Sequence, residues 1–225
     1  MVVDDLLRAA LEGRPAPRPL YGPLVTELAG DIEGIHRDQF LLDAGKMAKL
    51  LAELQGGAGL DVVWVATATR RLAGPTLEAA TEAATRLRQV LGGRALVGAA
   101  IMTEDLSAVR KLLDSGVQLL LFHVPPQALE LRSVRPLVAV IRFRRALAGI
   151  RMTGVDREAL ATAGHPLPVV PLQASPTDGM FGITLTPDEL DDRVPCPPGT
   201  ALVTTWQAVD QDMSLARLRS WRRDR

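Results

Sequence analysis

His123 is the residue whose setting most suggests chemistry. It closes the apolar run LLLFH, and Pro125-Pro126 fix the chain just after it. A neutral imidazole at such an end can serve as acid, base or metal ligand. The alternative is a partly buried histidine that bonds a neighbouring carbonyl. Arg142 and Arg144 come next in VIRFRR. Two residues apart, they share one face if the segment is a strand. Facing a cavity they would clamp a carboxylate or phosphate. Facing outward they would pair with helix acids or snorkel. Near the C-terminus, Trp206 could stack on a planar ligand, with Gln207 or Asp210 bonding it, while Asp212 and Ser214 read as helix caps.

Several chemistries find no motif. The 3 histidines (His36, His123 and His165) and the 1 cysteine stand without HxH, HxC, CxxC or HExxH spacing, so no metal site is expected. Neither GxGxxG nor GxxxxGK[ST] follows a strand, and no GxSxG elbow occurs. Cys196 between two prolines reads as an exposed loop thiol. With 26 basic and 26 acidic residues the formal charge is zero, so no field favours nucleic acid. The basic run from Arg217 to Arg225 reads as a solvated helix end. One cysteine, and an acidic amphipathic N-terminal helix in place of a signal peptide, predict a cytoplasmic protein. No apolar stretch approaches the ~20 residues that span a bilayer.

The elements that must carry these side chains alternate along the chain. Helix patterns at 2–12, 38–55, 75–91, 104–115, 156–163 and 213–223, with a helical turn at 187–192, lie between apolar runs. The runs are 19–25, 60–67, 95–101, 117–124, 136–143, 168–172, 180–185 and 201–206. Asp38 is the expected cap of the second helix and Thr103 of the fourth. Glycines at 56, 57 and 59 are expected to end the second helix. Continuous apolar strands separated by helices predict a parallel sheet. About eight of them in 225 residues predict one compact (β/α)8 TIM-type barrel over 1–225, open or distorted where the signal thins between 145 and 185. Its active site would gather at the C-terminal strand ends. That selects Tyr21, Thr67, Thr69, Arg70, Thr103, Glu104, His123, Arg142, Arg144, Gln173, Asp178, Thr204, Thr205, Trp206, Gln207 and Asp210.

The N-terminal third also resembles a known superfamily. LLRAALEGRPAPRPLYGPLVTELAG is similar to the opening of uroporphyrinogen decarboxylase and cobalamin-independent methionine synthase-like proteins. FLLDAGKMAKLLAELQGGAGLDVVWV resembles their next block, where F-L-x-D precedes a helix and G-x-D-x-V a strand. LDSGVQLLLFHVPP is similar to a later strand, and VVPLQAS loosely to another. The resemblance implies a barrel and one of three chemistries: cofactor-free tetrapyrrole decarboxylation, corrinoid-dependent methyl transfer, or cobalamin-independent methionine synthesis, the last two with zinc that activates a thiol. It also implies homodimerisation. The arginines of the decarboxylase first strand are replaced by LYGPLV, and Pro125 stands where a zinc-binding cysteine would follow His123.

The leading expectation is therefore a divergent, metal-free enzyme without cofactor. It would decarboxylate or transfer a methyl group on a small or medium acidic substrate. His123 would be the acid/base, Arg142 and Arg144 the anion holders, and Tyr21 and Trp206 the walls. Two alternatives stand beside it. GLDVVWVA with GPTLEAATEAATRLR resembles flavin- or deazaflavin-dependent luciferase-type barrels. A non-catalytic barrel that binds a ligand or partner is the other.

Overall fold

The computed structural model describes residues 3–12, 14, 18–69, 71–102, 107–123, 140–141, 143–151, 167–171, 182–185, 200–205 and 218–219. Helix and strand alternate: α1 (Val3–Leu11), β1 (Leu20–Tyr21), α2 (Thr26–Ile32), α3 (Arg37–Phe40), α4 (Ala44–Ala58), β2 (Val62–Thr67), α5 (Pro75–Leu91) and β3 (Leu96–Met102). Then come α6 (Val109–Asp114), β4 (Leu119–His123), β5 (Leu147–Arg151), β6 (Leu167–Pro171), β7 (Gly182–Leu185) and β8 (Leu202–Thr205). Every ladder is parallel. The strand order is β1-β8-β7-β6-β5-β4-β3-β2, which follows the chain around a ring and leaves β1 and β2 as the outermost strands.

Those two strands meet at a seam centred on Asp61. Its N–H donates to the Tyr21 carbonyl at 2.8 Å, and its own carbonyl accepts from Leu96 N at 2.8 Å. Its carboxylate accepts from Tyr21 N at 3.0 Å. Arg18 grips both carboxylate oxygens, one through Nη2 at 2.9 Å and the other through Nη1. This fork-to-carboxylate geometry is among the stronger hydrogen-bonded pairs. The Asp61 hydrogen bond outweighs the desolvation that opposes it and holds the Arg18 pKa above its ordinary value. Higher along the seam, Trp64 Nε1 donates to the Gly22 carbonyl at 2.7 Å. Gly22 is obligatory there, because a Cβ would lie 2.6 Å from the Cβ of Val62.

Strand alternation divides the core in two. Leu20, Val62, Trp64, Leu96, Ala100, Leu119, Leu121, Leu147 and Leu202 form the interior cluster, joined by Val3, Leu6 and Leu7 of α1. Helix α1 therefore closes the N-terminal end of the ring. Val63, Val65, Val97, Ile101, Leu120, Phe122 and Val203 face the helices α2, α4, α5 and α6 instead. Burying each large apolar side chain contributes roughly 1.5–3 kcal/mol, against about 1 kcal/mol net for a neutral hydrogen bond. The leucines thus supply the stability, and the seam fixes the register. Trp64, wholly buried, fills the middle of the ring because position 98 is glycine. A Cβ there would stand 2.7 Å from Trp64 Cε3.

Several expected elements take another form. The run 19–25 gives only the two-residue β1, and the chain then turns into α2, a helix the apolar pattern hides. The long helix expected at 38–55 is broken into α3 and α4. Asp43, not Asp38, caps α4 by accepting from Lys46 N at 2.9 Å. Gly56 and Gly57 lie inside α4, which ends at Gly59 with φ 68. The strand expected at 136–143 is corrected: residues 140, 141 and 143 are helical, and the strand is β5, interrupted by Gly149. The expected elements at 156–163 and 187–192 lie outside the described residues, as does the Thr103 cap.

Two substitutions test this account. Asp61→Ala should destabilise the protein by about 2–3 kcal/mol in urea unfolding, since it strands Arg18 and the Tyr21 amide; a loss under about 0.5 kcal/mol would show that the seam holds without it. Asp43→Ala should cost about 1 kcal/mol at neutral pH. The Lys46 backbone N–H lowers the Asp43 pKa below its ordinary value. A lowered pKa gives stability that is present above the unfolded value and lost as pH falls through the folded one. The parent and the alanine variant should therefore converge in stability under acid, and a gap constant down to below the carboxylate range would contradict this.

Candidate functional site

The interior rows continue to the C-terminal ends of the strands. Beyond Leu119 and Leu121 the same face of β4 reaches His123, which is half-buried. On β3, Gly98 and Ala100 lead to Met102, the register partner of His123. On β5 the partner of His123 is Arg151, which places that backbone position beside the histidine. On β8, Leu202 leads to Thr204, whose hydroxyl is buried with no hydrogen-bond partner. On β2 the register slips between Trp64 and Thr67, so that Thr67 stands opposite Ala100. This bulge turns the Thr67 hydroxyl to the rim, a common use of bulges beside sites.

Thr67 opens a second group of polar side chains. Its Oγ1 donates to Glu27 Oε1 at 2.6 Å, and Thr69 Oγ1 donates to the same oxygen at 2.7 Å. Arg37 Nη2 donates to it at 2.6 Å and also reaches Thr69 at 3.2 Å. Glu27 is 5% exposed. Its other oxygen, Oε2, and Arg37 Nε are buried without a partner. The node is anchored from below, where Thr26 Oγ1 donates to the Trp64 carbonyl at 2.5 Å. Between the two threonines Ala68 has φ 59 and packs against the interior cluster. A left-handed alanine costs on the order of 1–3 kcal/mol, and such strain clusters at functional sites.

The expected site residues therefore separate. Thr67 is at the rim, and His123 ends β4 on the interior row. Tyr21 is 4% exposed and packs in the layer between sheet and helices, so it is no wall of the mouth. Arg144 sits on the turn before β5 and pairs with Asp114 of α6 at 2.7 Å, at the N-terminal end of the strands. It lies at the opposite end of the strands from His123, and Arg142, the other half of the expected clamp, lies outside the described residues. Arg70, Glu104, Arg142, Gln173, Trp206 and Gln207 lie outside the described residues, as do Thr103, Asp178 and Asp210. Glu27 is new. Its only signal in the sequence is Thr-Glu after the short first strand, where the apolar pattern shows no helix.

Lys46, Lys49 and Lys111 are the chain's only lysines, and all are exposed on α4 or α6. No lysine amine can therefore reach a substrate carbonyl in the barrel to form an imine. Among the described residues no group of three or more His, Cys, Asp or Glu could hold a metal ion, and no helix is long and apolar enough to cross a membrane.

No family model and no curated protein matches this chain by sequence. By structure it is similar to dihydrodipicolinate synthase from Agrobacterium tumefaciens, with TM-score 0.54 and 16% identity over 87% of this chain and 71% of that one. It is similar to KGPDC from Streptococcus mutans, with TM-score 0.54 and 13% identity over 92% and 96% of the two chains. A third likeness is to 3-keto-L-gulonate-6-phosphate decarboxylase from Vibrio cholerae, with TM-score 0.51 and 13% identity over 91% and 96%. At such identities these likenesses show the fold, a TIM-type α/β barrel of parallel strands.

They also overturn the resemblance to uroporphyrinogen decarboxylase and methionine synthase, since the neighbours are barrels of other kinds. The structure explains why the motifs misled. In FLLD the aspartate is Asp43, a helix cap; in GLDVVWV it is Asp61, the seam residue. Both serve the fold of this chain and neither marks a reaction. GLDVVWVA and GPTLEAATEAATRLR, read also as luciferase-like, contribute β2 and α5 to the same ring.

Proposed function

We propose that this chain is a barrel enzyme that breaks a carbon–carbon bond in a small anionic oxo acid, with His123 moving the proton. The observation that carries this reading is the place of His123. Among the described side chains at the top of the interior rows (Thr67, Met102, His123 and Thr204) it is the ionisable one, and it stands where barrels of this kind gather their chemistry. Lyase or decarboxylase chemistry is supported by the names of the structural neighbours, one a decarboxylase and another an N-acetylneuraminate lyase complexed with pyruvate.

In decarboxylation of a 3-oxo acid, the bond to the carboxylate breaks and CO2 leaves. The electron pair moves into the adjacent carbonyl as an enolate, and the protonated imidazole of His123 then delivers a proton to the carbon. Without a lysine in the barrel, the carbonyl is not held as an imine. Charge on the enolate must then be met by hydrogen bonds and cations at the mouth.

A panel of 2- and 3-oxo acids and keto-sugar phosphates should yield at least one compound that is cleaved and that raises the melting temperature, because a ligand bound only to the native state stabilises it. His123→Ala should then slow kcat by about 10²–10⁴-fold, the usual share of a general acid. Equal rates in parent and variant, or neither cleavage nor stabilisation across the panel, would defeat the reading.

A further inference from the structure

We infer that the Glu27 node is the hydroxyl-recognising half of this mouth, so that the substrate is a polyhydroxylated anion. The inference rests on the reading of His123 as the reacting end. Glu27 Oε1 already accepts from Thr67, Thr69 and Arg37. Oε2 has no donor although it is buried. A buried carboxylate oxygen left without a donor is costly, more so than a neutral group. Thr67, Thr69 and Arg37 Nη2 converge on its twin, while Arg37 Nε is likewise buried without an acceptor, so the node offers one open acceptor and one open donor to a group that arrives with a ligand.

Thr204 makes the same point from the other flank. Its hydroxyl, 1% exposed, is likewise unpartnered, and β8 adjoins β1 just as β2 does across the seam. Neighbouring Thr205, by contrast, is satisfied, accepting from Leu24 N at 2.9 Å. An acceptor and a hydroxyl, one on each side of the β1 exit, suit alcohol groups, which both donate and accept. They do not suit a second anion, which the Glu27 carboxylate would repel. Arg37 offsets that charge in part and keeps the node from demanding a cation.

The strained Ala68 holds Thr67 and Thr69 on the same carboxylate oxygen, which keeps Oε2 clear of both.

D-Gluconate and hexanoate separate the two parts of the inference, being six-carbon carboxylates that differ in hydroxyls. Measured by calorimetry, the parent should bind gluconate at least about tenfold more tightly than hexanoate. Glu27→Gln keeps the oxygen used by Thr67, Thr69 and Arg37 and replaces the other, and should reduce that preference by about tenfold. Thr204→Val, close in shape, should reduce it independently. Equal binding of the two acids by the parent would overturn the hydroxyl inference and leave the anion reading standing. Binding of neither would overturn both. A lowered melting temperature in Glu27→Gln and Thr204→Val with an unchanged preference would mean that these side chains are structural only, and that too would overturn the inference.

Discussion

Everything at the mouth depends on the carboxylate of Asp61 at the other end of the barrel. Strand β1 is only Leu20 and Tyr21, too short to hold a place in a sheet through its ladder to β8 alone. Asp61 gives it a second edge by standing in for a strand residue, with main-chain and side-chain bonds to Tyr21 at once. Arg18 neutralises the charge where it is most buried. The position of everything after β1 is thereby set: Gly22 under Trp64, Thr26 under the β2 carbonyls, and Glu27 against Thr67.

A size constraint links this seam to the chemistry above it. Trp64 occupies the middle of the ring, and Gly22 and Gly98 are the two positions that make space for it. Its ring separates a lower layer of leucines, closed by α1, from the upper row of Thr67, Met102, His123 and Thr204. The interior is therefore packed below and polar above. Packing the lower part at high density gives the upper side chains fixed positions.

How far this could be read from sequence follows from what each signal measures. The buried strands β2, β3 and β4 and the helix α5 are fixed by continuous apolar runs or by a 3.6-residue stripe between Pro75 and Gly92, and they appear where expected. Hydrophobicity reports burial, not backbone conformation, and so PLVAVIRF looked like a strand although residues 140, 141 and 143 are helical. The true strand β5 carries Gly149 at its centre, where the apolar signal thins. His123 was legible because it ended such a run. Glu27 was not, since its significance lies in contacts with Thr67 and Thr69, 40 and 42 residues away. The family motifs failed for a related reason: the short patterns around Asp43 and Asp61 register a helix cap and a seam, which are matters of folding and not of chemistry.

The plug formed by Val3, Leu6 and Leu7 has a kinetic corollary. With the lower end sealed and the centre filled, the interior is a cul-de-sac. Whatever enters and whatever leaves must use one doorway, in turn. A molecule held there shuts out any other, so two ligands of this mouth should exclude each other, and the slower one to leave sets how soon the next can enter.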